Sequence, residues 1–273
     1  MSDVADHYHR DNLTETILNA LAEAGVDPAK LTVDDLAPLD EFHIGGRQAT
    51  RDMIELSGIT PAEHVLDVGA GIGGPARTLA AACGCRVTGV DLTAEYCATA
   101  TELTRRVGLA DRVDFRQADA CALPFEAAAF DVVWTQHMTM NVADKDRLYA
   151  ELARVLRPGG RLVSYEVVAG PAGQAPHFPV PWADRESISF LESAADMRRR
   201  LEGSGFRVME WQDRSEAAQT FFTRLLERTR GEGAPKLGLQ VIVGGGMKAK
   251  TQNLLRNLRE GRVGVVLLLL TRS

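Results

Sequence analysis

The sequence has few cysteines, no long apolar run and no excess of basic residues. Its four cysteines form no Cys-x-x-Cys pair, and no histidine spacing completes a zinc site, so we expect buried thiols in a reducing compartment. The longest apolar run has eight residues, Val263–Leu270, whereas a helix that crosses a bilayer needs ~20. The N-terminal segment is polar. These features predict a soluble, cytoplasmic protein with no metal site.

The charge balance argues against a nucleic-acid partner. The 273 residues carry 31 Lys and Arg against 37 Asp and Glu, which gives a formal net charge of −6. Proteins that bind a phosphate backbone present a basic footprint, and this composition does not supply one. The length is sufficient for one large domain or two small ones with a substantial core. We therefore expect a small-molecule partner, no membrane or nucleic-acid partner, and an oligomeric state that the sequence leaves open.

Apolar periodicity predicts helices first and then a regular alternation of strands and helices. Helical spacing runs from Asn12 to Ala24, where Asn12 and Glu15 resemble a capping box, and it resumes after Thr32 and over Arg47–Ser57. From residue 64 the alternation is typical of an α/β fold, with helices on both faces of a parallel sheet. The predicted strands cover residues 64–68, 86–91, 113–117, 130–135, 160–167, 206–211 and 263–271. The predicted helices of this part cover residues 74–82, 94–107, 145–156, 196–204, 219–228 and 248–260.

A glycine-rich turn joins the first predicted strand to the helix that follows it. Gly69, Gly71 and Gly74 fit the pattern G-x-G-x-x-G, in which a ligand approaches the backbone beside the positive end of a helix. Asp67 lies two residues before the turn. A carboxylate there would repel a pyrophosphate, but it suits a ligand with an ammonium group. A nicotinamide-dependent dehydrogenase is therefore disfavoured, as it also is by the long segment before the first strand.

Two further carboxylates follow the next two predicted strands. Asp91 ends the second strand, where it can accept hydrogen bonds from both hydroxyls of a ribose. Asp119 follows the third strand, where it can accept a hydrogen bond from the exocyclic amine of adenine. Together with Asp67, these residues describe a pocket for an adenosine that bears a cationic amino acid and no phosphate.

At these positions the sequence resembles the class I S-adenosylmethionine-dependent methyltransferases of the small-molecule type, such as the glycine/sarcosine and phosphoethanolamine methyltransferases. The matching segments, within about residues 40–210, are VLDVGAGIGG, VTGVDL, FDVVWTQH and LRPGGRL. The resemblance implies a Rossmann-like, mostly parallel sheet of seven strands, in which a final hairpin makes the last strand antiparallel. We also expect residues 1–60 to form an N-terminal helical cap and residues 61–273 to form the methyltransferase domain. Within this domain, residues 215–260 are expected to form a lid over the substrate.

The resemblance also implies which residues hold S-adenosylmethionine. They are Asp67, Gly69 and Gly71 at the methionyl group, Asp91 and Leu92 at the ribose, Asp119 and Ala120 at the adenine, Gln136 after the fourth strand, and His43 in a segment that covers the cofactor. Phosphoethanolamine methyltransferases carry hydroxyls in this covering segment, where the present chain has His43 and Ile44. This difference argues against a phosphobase substrate.

Methyl transfer needs an aligned nucleophile and, for a protonated acceptor, a base. Candidates lie where strands end, because open α/β sheets bind their ligands there. His137 and Asn141 follow the fourth strand, and we interpret His137 as a base with a pKa near neutrality or as a hydrogen-bonding group behind the site. Glu166 is a carboxylate in a buried strand end. We interpret it as a base or a ligand for a cationic acceptor, with a structural ion pair as the alternative.

Aromatic and polar residues outside the central sheet are the candidates for the acceptor pocket. They are Tyr8, Asn141, Phe178, Trp182 and Phe222, and core packing is the alternative for the last three. The predicted function is transfer of a methyl group to an amine or hydroxyl of a small metabolite, as in secondary metabolism. One alternative is methylation at carbon of a prenyl or other apolar metabolite, with Glu166 as the base. The other is a non-catalytic protein that has kept the cofactor fold.

Overall fold

The structure is a computed structural model that describes residues 3–8, 12–232, 236–243 and 246–273. Within these residues the strands are β1 (His64–Val68), β2 (Arg86–Asp91), β3 (Val113–Gln117), β4 (Phe130–Gln136), β5 (Leu156–Ala169), β6 (Phe206–Asp213) and β7 (Val263–Arg272). They form one sheet of seven strands in the order β3-β2-β1-β4-β5-β7-β6. Strands β1 to β5 are parallel, and β7 is antiparallel to β5 and β6. The predicted sheet and its final hairpin are confirmed.

Eleven helices accompany the sheet in the described ranges. They are α1 (Asp3–Tyr8), α2 (Leu13–Glu23), α3 (Val33–Asp40), α4 (Arg47–Ser57), α5 (Gly74–Cys83), α6 (Ala94–Arg106), α7 (Lys145–Val155), α8 (Ala194–Gly203), α9 (Ser215–Glu232), α10 (Gln240–Val243) and α11 (Met247–Arg259). The sequence predicts neither α1 nor α10, because six and four residues are too few to show apolar periodicity. None of the described helices is both long enough and apolar enough to cross a bilayer.

The central strands β1, β4 and β5 are buried on both faces, as expected for parallel strands. Successive side chains of a strand point to opposite faces. On β4, Val132 and Trp134 pack into a core that includes Met53 of α4, whereas Val133 packs into a second core that includes Leu148 of α7. Helices on both sides thus fix the strand ends, and the glycine turn after β1 is held in place by this packing.

The N-terminal helices pack directly against the glycine-rich segment. Leu13 and Leu36 share an apolar cluster with Ile72 of the turn and Leu103 of α6. A Cβ atom on Gly74 would lie 2.2 Å from the carbonyl oxygen of Asp40, at the end of α3. The third glycine of the motif therefore allows helix packing rather than ligand approach.

A capping box is present at α3 and not at α2. The Thr32 hydroxyl accepts a hydrogen bond from the Asp35 amide (3.3 Å), and the Asp35 carboxylate accepts one from the Thr32 amide (2.8 Å). Asn12 has a left-handed backbone (φ 55°) and its side chain makes no capping bond. The predicted box of Asn12 with Glu15 is therefore wrong, because a capping side chain requires an extended backbone. The Leu13 amide donates instead to Glu95 (3.2 Å).

The two helix starts give a matched test of this correction. We expect Thr32→Ala to lower the free energy of unfolding by about 1 kcal/mol. The Asp35 amide loses the hydroxyl that accepts its hydrogen bond, and the capping box is broken. Asn12→Gly keeps the left-handed backbone and removes a side chain that caps nothing, so it should change the free energy by less than about 0.5 kcal/mol. Urea denaturation followed by circular dichroism measures both. Equal effects of the two substitutions would contradict the assignment.

Candidate functional site

A cavity of about 1520 Å³ lies at the carboxyl ends of β1 to β4. Its remaining walls come from α1, from the loop after α3, from the segment around Trp182, and from α9 and α11. Ligand pockets usually enclose about 300–1,000 Å³. The cavity therefore has room for two molecules of moderate size.

Most of the predicted cofactor residues line this cavity. They are His43, Gly69, Gly71, Asp91, Leu92, Asp119, Ala120 and Gln136. Leu92 is 40% exposed, which is unusual for a large apolar side chain and leaves its surface free for a flat apolar group. Asp67 does not line the cavity. It lies next to the turn with 1% of its surface exposed, so it has no direct contact with the cavity.

The first glycine of the motif is required by the backbone and by a close neighbour. Gly69 has φ 79°, and a Cβ atom there would lie 2.6 Å from the Cβ of Met138. Asp91 holds the turn from the side: its carboxylate accepts hydrogen bonds from the amides of Gly71 and Thr93, both at 2.9 Å. Burial raises the pKa of Asp91. The turn and this carboxylate form one rigid unit at the cavity wall.

Three carboxyl groups, those of Glu41, Asp67 and Asp91, lie near the turn, and an oxygen of Asp67 has no partner in the described part of the chain. Asp67 Oδ2 is buried without a hydrogen-bond partner among the described residues. Burial, followed by the nearby carboxylates of Glu41 and Asp91, raises the pKa of Asp67 from its ordinary 3.8 to about 8. A buried carboxyl of this kind is costly unless a positive group binds nearby. The site therefore suits a cationic ligand, and S-adenosylmethionine carries both an ammonium and a sulfonium group.

The raised pKa of Asp67 predicts that binding of the cation depends on pH. The pKa of Asp67 in the folded protein lies above its ordinary value, so the carboxyl is protonated near neutrality. As pH rises towards this pKa, the folded protein without a ligand loses stability relative to the unfolded chain. A bound cation favours the carboxylate, so binding releases a proton. We expect the affinity for S-adenosylmethionine to increase on the order of ten-fold between about pH 6 and about pH 7.5. Calorimetric titration measures this, and Asp67→Asn should abolish the dependence; an unchanged slope in that variant would contradict the assignment.

The segment after α3 forms a polar cluster that covers the turn. Glu41 accepts hydrogen bonds from the hydroxyls of Thr50 (2.9 Å) and Thr78 (3.1 Å). His43 Nε2 lies 3.0 Å from the Gly46 carbonyl oxygen and 3.1 Å from Thr50 Oγ1. The sequence predicts His43 but not Glu41. The sequence feature that could have indicated Glu41 is its place between Asp40 and Phe42, where two adjacent acidic residues precede an aromatic one.

His137 does not have the geometry of a base. Its backbone is left-handed (φ 49°), which is uncommon outside glycine and occurs often at functional sites. Its ring stacks on Tyr165 with centroids 4.8 Å apart, and its Nδ1 accepts a hydrogen bond from the Ile44 amide at 3.1 Å. Burial lowers its pKa well below the ordinary value. With its Nδ1 lone pair engaged in this way, a neutral His137 carries its proton on Nε2 and can only donate to a ligand.

Glu166 holds the chain beside His137 and does not reach the cavity. It has no exposed surface, and one carboxylate oxygen accepts hydrogen bonds from the amides of Met138 and Thr139 (both 3.1 Å) and from the Thr139 hydroxyl (2.9 Å). Burial raises its pKa. The structure thus contradicts the interpretation of Glu166 as a base, since these bonds and its depth separate it from any ligand. It is a positioning residue for the turn that carries His137.

Four of the five predicted acceptor residues line the cavity: Tyr8, Asn141, Trp182 and Phe222. The Tyr8 hydroxyl donates to Asn141 Oδ1 (3.0 Å), and Asn141 Nδ2 donates to the Trp182 carbonyl (3.0 Å). This chain of bonds ties α1 to the loop after β5. Phe178 packs against the apolar core and not on the cavity wall, so its predicted contact with an acceptor is wrong. It sits four residues before Trp182, and the sequence does not show which of the two faces inward.

Comparisons with known proteins agree with this geometry. A family model described as "Methyltransferase domain" matches residues 66–164. The chain is 34% identical over 167 residues to Methyltransferase GfsG of Streptomyces halstedii, a match that spans 61% of this chain and 58% of that protein. It is 30% identical over 203 residues to 27-O-demethylrifamycin SV methyltransferase of Amycolatopsis mediterranei, which is 72% of each chain.

A solved structure shows the same fold over the whole chain. Phosphoethanolamine N-methyltransferase 2 of Haemonchus contortus, in complex with S-adenosyl-L-methionine, superposes with a TM-score of 0.76 at 20% identity, covering 100% of this chain and 60% of that one. The relative that matches at 30% identity over nearly three-quarters of both chains shows the family. The chain belongs to the class I S-adenosylmethionine-dependent methyltransferases.

Proposed function

We propose that the chain transfers a methyl group from S-adenosylmethionine to a hydroxyl or amine of a small molecule with a large apolar body. The observation that carries this proposal is a continuous cavity of about 1520 Å³ among the described residues. The glycine turn and nearby carboxyl groups line one part of it, and mostly apolar side chains line another. One end suits the cofactor and the other end suits an acceptor. Two molecules in one enclosed space can react without competition from water.

The residues at the glycine turn fit the cofactor. Asp91 would hold the ribose, Gly69 and Gly71 would lie against the methionyl part, and the buried Asp67 would balance its positive charge. The exposed face of Leu92 would cover the adenine. When bound, S-adenosylmethionine supplies an electrophilic methyl carbon on a positively charged sulfur.

The cavity wall formed by α9, α11 and Trp182 is mostly apolar, with Arg228 and Lys248 as charged members. Phe221, Phe222 and Leu225 of α9 lie there together with Leu254 of α11 and Trp182. These side chains offer few hydrogen bonds, so an acceptor that fills this space gains affinity from buried apolar surface. The lid that we predict over residues 215–260 contributes most of this wall, and we propose that it selects the acceptor.

The alternative reaction, methylation at carbon, has less support. It requires Glu166 as a base, and Glu166 does not line the cavity. It also uses aromatic rings to stabilise a carbocation, and Trp182 and Phe222 do line the cavity, so the argument against this reaction is the position of Glu166. A cytoplasmic location and a role in secondary metabolism belong to the main proposal. The cysteines, which are all free, support a cytoplasmic location. The relative that acts on a rifamycin supports a role in secondary metabolism.

Radiolabelled S-adenosylmethionine tests the proposal. The purified chain is incubated with the labelled cofactor and a panel of apolar alcohols, phenols and amines, and label in the organic extract is counted. We expect transfer to at least one alcohol or phenol, and loss of that transfer in Asp91→Ala. A matched control, Asp111→Ala, changes an exposed aspartate away from the cavity and should keep the activity. Cofactor binding without transfer to any member would favour the non-catalytic alternative.

A further inference from the structure

Two histidine rings lie edge-on to each other at the wall of the cavity. His43 comes from the segment after α3, and His137 comes from the turn after β4. Their ring centroids are 6.1 Å apart with an interplanar angle of 66°. Both residues line the cavity. Both rings carry their hydrogen on Nε2, but the nitrogen left without a protein partner is Nδ1 in His43 and Nε2 in His137.

The surroundings of His43 place its hydrogen on Nε2. This nitrogen lies 3.0 Å from the Gly46 carbonyl oxygen, which can only accept. Its second neighbour, the Thr50 hydroxyl at 3.1 Å, donates its own hydrogen to Glu41 and therefore also accepts. The neutral ring then has a bare lone pair on Nδ1, which makes no hydrogen bond within the described residues. Burial lowers the pKa of His43 to about 4, so the lone pair is available at neutral pH.

The surroundings of His137 place its hydrogen on Nε2 as well. In this ring, however, the nitrogen that a ligand can reach is the one that carries the hydrogen, so it donates rather than accepts. Its Nδ1 already accepts the hydrogen bond from the Ile44 amide (3.1 Å), so Nε2 carries the proton and is the nitrogen left over. Among the described residues this buried Nε2 has no partner. Buried polar groups without a partner are rare, and at a cavity wall a ligand is the expected partner.

We propose that His43 and His137 hold an acceptor hydroxyl between them, with His43 Nδ1 as the general base and His137 Nε2–H as a donor to the acceptor oxygen. This inference rests on the proposed function and narrows it to methylation at oxygen. It also changes the role of His43, which the sequence resemblance assigns to the cofactor.

The count of lone pairs distinguishes oxygen from other acceptor atoms. A hydroxyl has one hydrogen for His43, one lone pair for the His137 N–H and a second lone pair for the methyl carbon. A neutral amine has a single lone pair, which a bond from His137 would withdraw from the reaction. An alkene carbon can neither donate to His43 nor accept from His137. The pair of histidines therefore suits a hydroxyl and disfavours both alternatives.

The transfer step balances with these two residues. The acceptor oxygen forms a bond to the methyl carbon, the electron pair of the carbon–sulfur bond stays on sulfur, and the hydroxyl proton passes to His43 Nδ1. The imidazolium that results has Glu41 Oε2 3.4 Å from its Nε2. Thr50 and Thr78 orient this carboxyl group beside the ring. Burial raises the pKa of Glu41, and a positive charge that develops on His43 favours its ionised form. The proton then leaves to solvent when the product departs.

Binding of three matched probes tests the hydrogen bonds without any turnover. Cyclododecanol can donate and accept, cyclododecanone can only accept, and cyclododecane can do neither. We expect affinity for the S-adenosylhomocysteine-bound protein to fall about five-fold at each step from alcohol to ketone to hydrocarbon, as one neutral hydrogen bond is lost each time. Calorimetry or tryptophan fluorescence measures the affinities, and titration of S-adenosylhomocysteine alone reports separately on the proposed cofactor site.

Two variants separate the roles of the histidines. His43→Gln places an amide nitrogen near the original Nε2 but removes Nδ1, so it should reduce alcohol binding to the level of the ketone and leave the ketone unchanged. His137→Asn tolerates the left-handed backbone and keeps an acceptor for the Ile44 amide, but it removes Nε2–H. It should reduce ketone binding to the level of the hydrocarbon.

The inference fails if the three probes bind wild-type protein equally, or if His43→Gln weakens the ketone as much as the alcohol. Nitrogen-15 spectra of the imidazole rings give a second test, since a hydrogen on Nδ1 of His43 would overturn the base assignment even if a variant fails to fold. Failure of S-adenosylhomocysteine to bind would contradict the proposed function. Normal cofactor binding with no selectivity among the probes would contradict only the role of the histidine pair.

Discussion

Replacing Arg77 by leucine should lower the free energy of unfolding by about 3–5 kcal/mol. The guanidinium has no exposed surface and donates to Asp40 Oδ2 (2.7 Å), to the Ile72 carbonyl (2.7 Å) and to the Thr104 hydroxyl (3.0 Å). It joins α5 to α3 and α6 directly beneath the glycine turn. Leucine would leave the buried Asp40 carboxylate without its partner, and an unpaired buried charge is far more costly than a lost surface ion pair.

Urea denaturation at neutral pH measures this loss, and two further variants define its cause. Arg105→Leu removes an exposed arginine of α6 that pairs with Glu102, and it should lower the stability far less than Arg77→Leu. The double variant Arg77→Leu with Asp40→Leu removes both charges and should recover part of the loss. If Arg77→Leu costs no more than Arg105→Leu, the buried pair does not organise this region.

Asp91→Ala should weaken the binding of S-adenosylmethionine about 100-fold or more. We expect this because two hydrogen bonds from ribose hydroxyls to a charged acceptor would be lost, each contributing about 1.5–3 kcal/mol. The loss would be increased by the release of the Gly71 and Thr93 amides, which the same carboxylate holds at 2.9 Å. Asp91→Asn keeps one acceptor oxygen and should have a smaller effect.

Calorimetric titration gives these affinities, with the exposed Asp111→Ala as the matched control. Thermal denaturation of each variant without ligand shows whether the fold is intact. An affinity of Asp91→Ala within about three-fold of wild type, in a folded protein, would mean that the ribose does not bind at this strand end.

The strands could be predicted from the sequence because each is defined by its own residues. The runs at 64–68, 86–91 and 113–117 coincide with β1, β2 and β3. They are short and bounded by turns, with apolar residues that are adjacent in β1 and alternate with polar ones in β3. Their alternation with helices leaves few possible arrangements. The place of the glycine turn and of Asp91 at a strand end was also predictable, since it depends on backbone shape and on the strand bounds.

The roles of individual polar side chains depend on partners distant in sequence. Glu166 would be a buried carboxylate whether it acted as a base or held the chain in place. Only its three hydrogen bonds to residues 138 and 139 show that it positions a turn. The direction of the His137 ring depends on the Ile44 amide, 93 residues earlier. Phe178 and Trp182 are both aromatic residues in an apolar segment, and the fold of that segment decides which one faces the cavity.

The most direct test of the account is a crystal structure of the chain with S-adenosylhomocysteine bound. The account predicts that the ribose hydroxyls lie within hydrogen-bond distance of Asp91 and that the adenine packs on Leu92. It also predicts that the sulfur faces the space between His43 and His137. A nucleoside bound elsewhere in the cavity, or a sulfur that points away from both histidines, would contradict it.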